Sequence, residues 1–183
     1  MKPFWRTEPL SESESEILRL LSAAHAESAR RENVSHVALV NTFLGSGSYA
    51  NAIAAAILTL GGRHGPIEET MRMLESHTSV VAALDNGVDL LVPGWGNSFV
   101  KGRLDPLWEK TDTALRKARP DLMSRADAIT DALHRRGKDV WPNPSYYTAA
   151  VAIALKMPPQ IAGYLFITAR LEAWTEIALC HAK

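Results

Sequence analysis

The feature that most constrains the fold is a pair of helical segments separated by a glycine-rich turn that carries one histidine. The upstream segment, residues 48–60 (SYANAIAAAILTL), is almost entirely apolar and rich in small side chains. A helix that is apolar on all sides is typical of a protein interior. The downstream segment, residues 67–75, has apolar residues at helical spacing and predicts an amphipathic helix. Two adjacent helices, one of them buried, are therefore expected here.

The turn between them, residues 60–69 (LGGRHGPIEE), contains the signals that end one helix and begin the next. Gly61 and Gly62 can take the left-handed conformation that ends a helix. Pro66 suits the first turn of the next helix, because its missing N–H would have no helical partner there. A histidine that faces a helix N-terminus is favoured in its neutral form, which donates a hydrogen bond to a forming enolate oxygen. His64 is therefore a candidate catalytic residue, and an incidental surface histidine is the alternative.

The rest of the chain is also predicted to be helical. The run SESESE at residues 11–16 precedes an apolar helical pattern, and Ser13 with a glutamate three residues later fits a capping box. Asn143 is a candidate N-cap for a helix that begins at the following proline. Residues 88–92 (VDLLV) form the only strand-like run, and the glycines that follow it allow backbone to approach a ligand closely. The sequence predicts an all-α protein.

Composition excludes several classes of function. The 183 residues include 20 basic and 20 acidic side chains, so no net field attracts a polyanion, and nucleic acid is not an expected partner. No apolar run approaches the ~20 residues that span a bilayer, and the N-terminus lacks the apolar core of a signal peptide. The single cysteine, Cys180, fits a reducing compartment. We expect a cytoplasmic protein with no membrane partner and, since its histidines share no ligand spacing, no metal.

Three collinear segments resemble the citrate synthase superfamily, including its citryl-CoA lyase modules. Residues 45–74 are similar to the family's small-residue helix, its Gly-Pro-Leu-His-Gly turn and the following helix, although the turn is one residue shorter here. Residues 92–106 (VPGWGNSFVKGRLDP) are similar to its Pro-Gly-aromatic-Gly-His segment, basic residue and Asp-Pro. Residues 143–174 are similar to its Asn-Val-Asp-aromatic-Tyr-Ser-Gly and Ala-Arg-x-x-Gly-Trp motifs. Together these segments cover most of residues 45–175.

The resemblance implies a citrate synthase-like helical fold with a truncated large domain and a small helical lobe. Residues 1–64 and 156–183 would form the remnant of the large helical domain, and residues 65–155 the small helical domain. The family builds its site across a helical dimer. The resemblance therefore also implies a homodimer or a higher homo-oligomer.

The resemblance further implies chemistry that joins or splits a carbon–carbon bond between acetyl-CoA and a 2-oxo acid. In the family an aspartate removes a proton from the thioester methyl group, one histidine stabilises the enol, a second polarises the ketone, and arginines bind carboxylates. By position, His64 matches the first histidine and Arg170 a carboxylate-binding arginine. Lys101 matches the basic residue of the second motif, and Arg63, in the turn beside His64, is a further substrate-binding candidate. The expected coenzyme A-binding residues are Pro93, Gly94, Trp95 and Gly96.

Two positions depart from the family's pattern. Asn97 stands where the second histidine would be; it can donate a hydrogen bond to a carbonyl but cannot transfer a proton near neutral pH. Ser145 stands where the aspartate would be, and its hydroxyl would need a base of its own. A turn residue and a helix-start residue are the structural alternatives for these two positions. Glu68, Glu69 and Asp139 are the carboxylates considered as substitute bases.

Two functions remain open. The favoured one is an enzyme of the citryl-CoA lyase or citrate synthase type, acting on a CoA thioester and a di- or tricarboxylic acid by carbon–carbon bond formation, cleavage or a divergent reaction. Coenzyme A or an acyl-CoA would be its substrate. The alternative is a catalytically degenerate module that binds CoA or carboxylates, or that partners a complete relative. The retained His64 and Arg170 favour the first function, and the missing proton-transfer groups favour the second.

Overall fold

A computed structural model describes residues 3–61 and 64–181 of the chain. Within these ranges the regular structure consists of nine α-helices and one short 3₁₀ turn, without a strand, so the all-α prediction is confirmed. The helices are α1 (Glu12–Ala29), α2 (Val34–Ser46), α3 (Tyr49–Leu58), α4 (Ile67–Glu75), α5 (His77–Asp85), α6 (Glu109–Ala118), α7 (Pro120–Arg135), α8 (Pro144–Ala154) and α9 (Pro159–Cys180), and the 3₁₀ turn spans Pro106–Trp108. None of the described helices is both long and apolar enough to cross a bilayer.

The helix termini largely follow the local capping signals. Asn143 caps α8 as predicted, and its side-chain oxygen accepts hydrogen bonds from the backbone N–H groups of Ser145 and the next residue. The capping box of α1 is formed by Ser11 and Glu14, so the prediction that placed it at Ser13 was wrong by two residues. Ser11 accepts from the Glu14 backbone N–H, and the Glu14 carboxylate accepts from the Ser11 backbone N–H.

The strand-like run at residues 88–92 is not a strand. In the described part of the chain the only β-type pairings are isolated bridges, one of which joins Trp95 to Pro142. Leu91 is 85% exposed, whereas Leu90 and Val92, on the other side of the run, pack against the core. Apolar, β-branched residues favour an extended backbone, but a strand also needs a neighbouring strand to satisfy its N–H and C=O groups.

The core is organised around α8, because nine of its eleven residues are buried. It packs against α1, α4, α6 and α9. Aromatic rings fill the space on one side: Trp108 stacks on Tyr147 with centroids 5.2 Å apart, and Tyr146 meets Tyr147 edge to face at 4.9 Å. A second apolar cluster joins α2 and α3 to the C-terminal half of α9. The division into two domains at residues 64 and 156 stays a prediction.

Candidate functional site

A cavity of about 840 Å³ lies where five parts of the chain meet. They are the end of α1, the turn before α4, the loop at 91–99, the start of α8 and the middle of α9. The four sequence candidates that line it are His64, Asn97, Ser145 and Arg170. Pro93, Gly94, Trp95 and Gly96 line the same cavity. The fold therefore brings together side chains that are up to a hundred residues apart in sequence.

Arg170 is a buried cation that has no carboxylate partner among the described residues. It is 2% exposed; its Nε donates to Nδ1 of His25 at 3.1 Å, and its Nη2 donates to the hydroxyl of Ser28 at 3.2 Å. The guanidinium carbon lies 3.9 Å from the ring centre of Phe166. Nη1 is buried and has no hydrogen-bond partner among the described residues, and no ion pair to Arg170 is found there. Burial lowers the pKa of Arg170 to about 9, so the group is charged at neutral pH and lacks an anion.

His64 is held by a chain of hydroxyl groups. Its Nε2 lies 3.0 Å from the hydroxyl of Ser35, which lies 2.7 Å from the hydroxyl of Thr59. The Thr59 hydroxyl is in turn 2.7 Å from the backbone carbonyl of Ala56. Burial, assisted by the charge of Arg170, lowers the pKa of His64. The neutral imidazole is therefore favoured, through burial and Arg170 rather than through the helix N-terminus considered in the sequence.

One arrangement of protons satisfies all three contacts of the hydroxyl chain: Thr59 donates to the carbonyl of Ala56, Ser35 donates to Thr59, and His64 donates from Nε2. A second arrangement requires Thr59 to turn its proton away from this carbonyl and donate to Ser35, so that Ser35 donates to Nε2 and the proton of His64 is on Nδ1. The second arrangement leaves an Nδ1–H able to bond a ligand oxygen. Ser35 and Thr59 carried no signal in the sequence beyond being small hydroxyl residues.

Asn97 lines the cavity, but both ends of its amide are engaged. Its Nδ2 donates to Asp105 at 3.1 Å, and its Oδ1 accepts from the backbone N–H of Phe99 at 2.8 Å. Asp105 is 2% exposed and also accepts two hydrogen bonds from Arg31, at 2.5 and 3.1 Å. The structural alternative thus accounts for the amide contacts, and carbonyl polarisation by Asn97 stays a prediction. Arg31, which also lines the cavity, was not among the sequence candidates.

Ser145 is 6% exposed and occupies the second position of α8. Its backbone N–H is bonded to Asn143 at 2.9 Å, which accounts for a serine at a helix start. No carboxylate or imidazole is hydrogen-bonded to its hydroxyl in the part of the chain that the structure describes. Ser145 is therefore placed to contact a ligand but has no base to activate it.

The three carboxylates considered as substitute bases do not line the cavity. Glu68 pairs with an arginine of its own helix, Glu69 is exposed, and Asp139 accepts from the indole N–H of Trp141 at 3.3 Å. Among the lining residues within the described ranges, the one carboxylate is Glu32, which is exposed. The cavity thus combines cationic and neutral donors with little negative charge of its own.

Two further sequence candidates are not brought to the cavity. Lys101 is exposed and is not among the lining residues. This chain has one residue more between Lys101 and Asp105 than the family's motif. That difference is consistent with a different backbone path at Lys101. Arg63 lies outside the described residues.

In the glycine-rich segment, close packing requires a glycine at one position. Gly94 and Gly96 have φ angles of 89° and 92°, in the region that favours glycine. A Cβ atom on Gly94 would lie 2.6 Å from the methyl group of Thr70 and 3.3 Å from Cβ of Tyr146. A Cβ atom on Gly96 would meet nothing closer than Val140 at 3.9 Å. Gly94 thus allows the loop to lie directly against α4 and α8, and the binding of coenzyme A by this segment stays a prediction.

Replacing Gly94 with alanine is expected to lower the free energy of unfolding by about 2–5 kcal/mol, from backbone strain at positive φ plus the clash with Thr70. Gly96→Ala is the matched control, because it carries the same strain without the clash. Urea denaturation of both variants measures the difference. Equal losses in the two variants would contradict the close-packing interpretation.

Stability is expected to fall as the pH is lowered below about 6.5, the ordinary histidine pKa. Burial and the charge of Arg170 hold the pKa of His25 well below its usual value. Above pH 6.5 the imidazole is neutral in both states; below it the unfolded chain binds a proton that the folded protein does not. The slope from His25 alone is expected to increase as the pH falls from 6.5 towards 5, with an upper limit of about 1.4 kcal/mol per pH unit. Chemical denaturation across this range checks it, and His25→Asn should remove that contribution.

Comparisons with known proteins place these observations in context. A family model described as the citrate synthase C-terminal domain matches residues 3–179. The structure is similar to that of citryl-CoA lyase from Hydrogenobacter thermophilus, with a TM-score of 0.81 at 20% identity, covering 96% of this chain and 72% of that one. A search of curated proteins finds no match.

Two citrate synthases are also similar in structure. That from Thermotoga maritima gives a TM-score of 0.72 at 22% identity. That from Thermoplasma acidophilum, in a ternary complex with carboxymethyl coenzyme A and oxaloacetate, gives 0.71 at 18% identity. Each comparison covers 93% of this chain and 49% of the other, so the chain spans about half the length of these enzymes. At such identities the likeness establishes the fold.

Proposed function

Since this chain belongs to the citrate synthase C-terminal domain family, we propose that it acts on a CoA thioester together with a di- or tricarboxylic acid. The observation that carries the proposal is Arg170, a buried guanidinium with an unbonded Nη1 beside a cavity. Burial of an unpaired charge is costly, and a carboxylate ligand would supply both the missing charge and the missing acceptors. A cytoplasmic location is part of the same proposal.

The roles of the other cavity residues follow from this placement. With a ligand carboxylate at Arg170, His64 lies on the same cavity wall and donates from Nδ1 to the thioester oxygen as it becomes an enolate. The segment from Pro93 to Gly96 receives the coenzyme A moiety. Support comes from the Thermoplasma acidophilum relative, whose structure holds a coenzyme A derivative and oxaloacetate together. The reaction is the reversible cleavage of citryl-CoA, or of a related 3-hydroxy acyl-CoA, into acetyl-CoA and a 2-oxo acid.

A second candidate function is a binding module that no longer catalyses this reaction. It is favoured by the absence of a buried base, since the carboxylate among the described lining residues is the exposed Glu32. Asn97 and Ser145 also stand where the family has groups that transfer protons. General acid–base catalysis contributes about 10²–10⁴ in rate, so its loss would leave binding largely intact while turnover became very slow.

Ligand-induced stabilisation tests whether the protein binds the proposed ligands, and turnover separates the two forms of the proposal, the enzyme and the binding module. At a hundred times its Kd, a ligand stabilises a native protein by about 2.7 kcal/mol, which corresponds here to a rise in Tm of roughly 5–10 °C. Citrate, oxaloacetate, coenzyme A and acetyl-CoA are added singly and in pairs. Absence of a shift with all of them would refute both forms. Oxaloacetate formed from citryl-CoA, or acetyl-CoA consumed in the presence of oxaloacetate, would then identify an enzyme.

We also propose that two copies of the chain associate through the outer faces of α2 and α3. The two helices expose five large apolar side chains, Val34, Val37 and Leu44 on α2 and Tyr49 and Leu58 on α3. A cluster of exposed apolar residues favours a protein interface. Leu58→Glu is expected to shift the protein from dimer to monomer in analytical ultracentrifugation, whereas Leu91→Glu, at an equally exposed leucine beside the cavity, should not. A monomeric parent protein would contradict this association.

A further inference from the structure

The charge of Arg170 is anchored by a histidine rather than by a carboxylate. Nδ1 of His25 accepts the hydrogen bond from Nε of Arg170, so the proton of this imidazole is on Nε2. Nε2 lies 2.7 Å from the hydroxyl of Thr148, which donates to the carbonyl of Pro144 at 2.9 Å. Every donor in this series of hydrogen bonds meets an acceptor, so the neighbours of His25 fix its tautomer.

The imidazole of His25 is also fixed by packing. The side chain is 0% exposed, and its ring meets Trp108 at 5.0 Å and Phe166 at 4.7 Å between centroids, both edge to face. Phe166 is the ring on which the guanidinium of Arg170 rests. Position and orientation of the Nδ1 lone pair are therefore determined by the core of the protein.

We propose that His25 is the positioning residue of the anion site, holding the guanidinium of Arg170 through a neutral acceptor so that its full positive charge remains for a ligand carboxylate. This inference rests on the proposed function and adds a residue that the sequence resemblance did not include. Two of the three guanidinium nitrogens are held by His25 and Ser28, both of them uncharged. The third, Nη1, is left for the ligand.

The same chain of hydrogen bonds connects two walls of the cavity. It runs from Arg170 on α9 through His25 on α1 and Thr148 on α8 to Pro144, the first residue of α8. Ser145, the next residue, lines the cavity together with Arg170. His25 thus fixes the guanidinium relative to the start of α8, where the helix dipole favours an anion.

A purely structural role for His25 makes the opposite prediction about charge. If the residue served only to satisfy a buried arginine, a carboxylate in its place would serve better, because it would neutralise the guanidinium. In an anion site, that carboxylate would neutralise the guanidinium charge that the ligand needs. Comparing asparagine with aspartate at position 25 therefore separates a structural role from a role in the anion site, because the two side chains differ in charge.

The experiment compares His25→Asn with His25→Asp by calorimetric titration with citrate. Both side chains place an oxygen near the position of Nδ1, and both lose the bond to Thr148, so they differ in charge alone. His25→Asn is expected to bind citrate with nearly the affinity of the parent, and His25→Asp at least ~10-fold more weakly, because its carboxylate pairs with Arg170. Equal affinities in the two variants would overturn the proposal.

A second measurement does not depend on the ligand. Phenylglyoxal modifies accessible guanidinium groups, and peptide mapping by mass spectrometry follows Arg170, with the exposed Arg103 as internal reference. Arg170 is expected to react faster in His25→Asn than in His25→Asp, and equal rates, including no reaction in both, would overturn the proposal. If the parent protein binds no citrate, the proposed function fails and this measurement alone decides on His25. Should His25→Asp not fold, Ser28→Asp against Ser28→Asn places the same charge beside Nη2, with the same expected outcomes.

Discussion

Replacing Arg170 with methionine is expected to abolish stabilisation by citrate while leaving the unliganded protein at least as stable as the parent. Methionine keeps much of the length and apolar contact of the arginine stem. It also removes a buried charge that has no counter-ion in the described structure, which offsets the hydrogen bonds lost to His25 and Ser28. The ligand contribution that should disappear is about 2.7 kcal/mol at a hundred times the Kd. Denaturation by urea with and without citrate measures both quantities.

The control for this prediction is Arg103→Met, which removes one positive charge from an exposed position. It should leave the citrate effect unchanged. Retention of the effect in Arg170→Met would show that citrate binds elsewhere. A loss of more than about 3 kcal/mol in the unliganded variant, the range seen when a buried polar network is broken, would identify Arg170 as a structural anchor instead.

The double substitution Ser145→Asp and Asn97→His is expected to raise the rate of condensation of acetyl-CoA with oxaloacetate by about 10²–10⁴. The new carboxylate would lie at the start of α8, at which the helix dipole stabilises its charged form. The new imidazole would lie beside Asp105, which already bonds the side chain at position 97 and would orient the ring. Consumption of acetyl-CoA in the presence of oxaloacetate, followed by chromatography, measures the rate, because the condensation itself releases no free thiol.

Three controls accompany this variant. Ser145→Asn tests whether size rather than charge at position 145 matters, and each single substitution tests whether both groups are needed. A folded double variant that binds citrate and acetyl-CoA, but condenses acetyl-CoA with oxaloacetate no faster than the parent, would show that the thioester oxygen does not lie at His64 as proposed.

The part of the site that could be predicted from sequence is the part that lies in local motifs. His64 lies in a turn whose glycines and proline mark it, and the start of α8 is marked by Asn143 and Pro144. His25 had no such mark: it lies on the apolar face of a helix, 145 residues from Arg170, and resembles any buried histidine. Its role depends on a contact between distant segments, which spacing in the sequence does not encode.

The two local errors have the same origin. The repeated Ser-Glu pairs at residues 11–16 allow a capping box in more than one register, and Glu14 is the member that also pairs with Arg6 at 2.7 Å. That tertiary ion pair accompanies the observed register. Likewise, residues 88–92 have the composition of a strand, but the fold provides no strand beside them. In both cases the local preference was real, and the packing of the whole chain decided between its possible outcomes.

If Arg170 binds a small carboxylate as proposed, the amount of this protein is linked to the supply of that acid. A chain whose folded state is completed by a small carboxylate unfolds less often when that acid is plentiful, and proteases act mainly on the unfolded fraction. Cells rich in the acid would accumulate the protein without any change in its synthesis, and starved cells would degrade it faster. Its lifetime would then report the size of the pool that it uses.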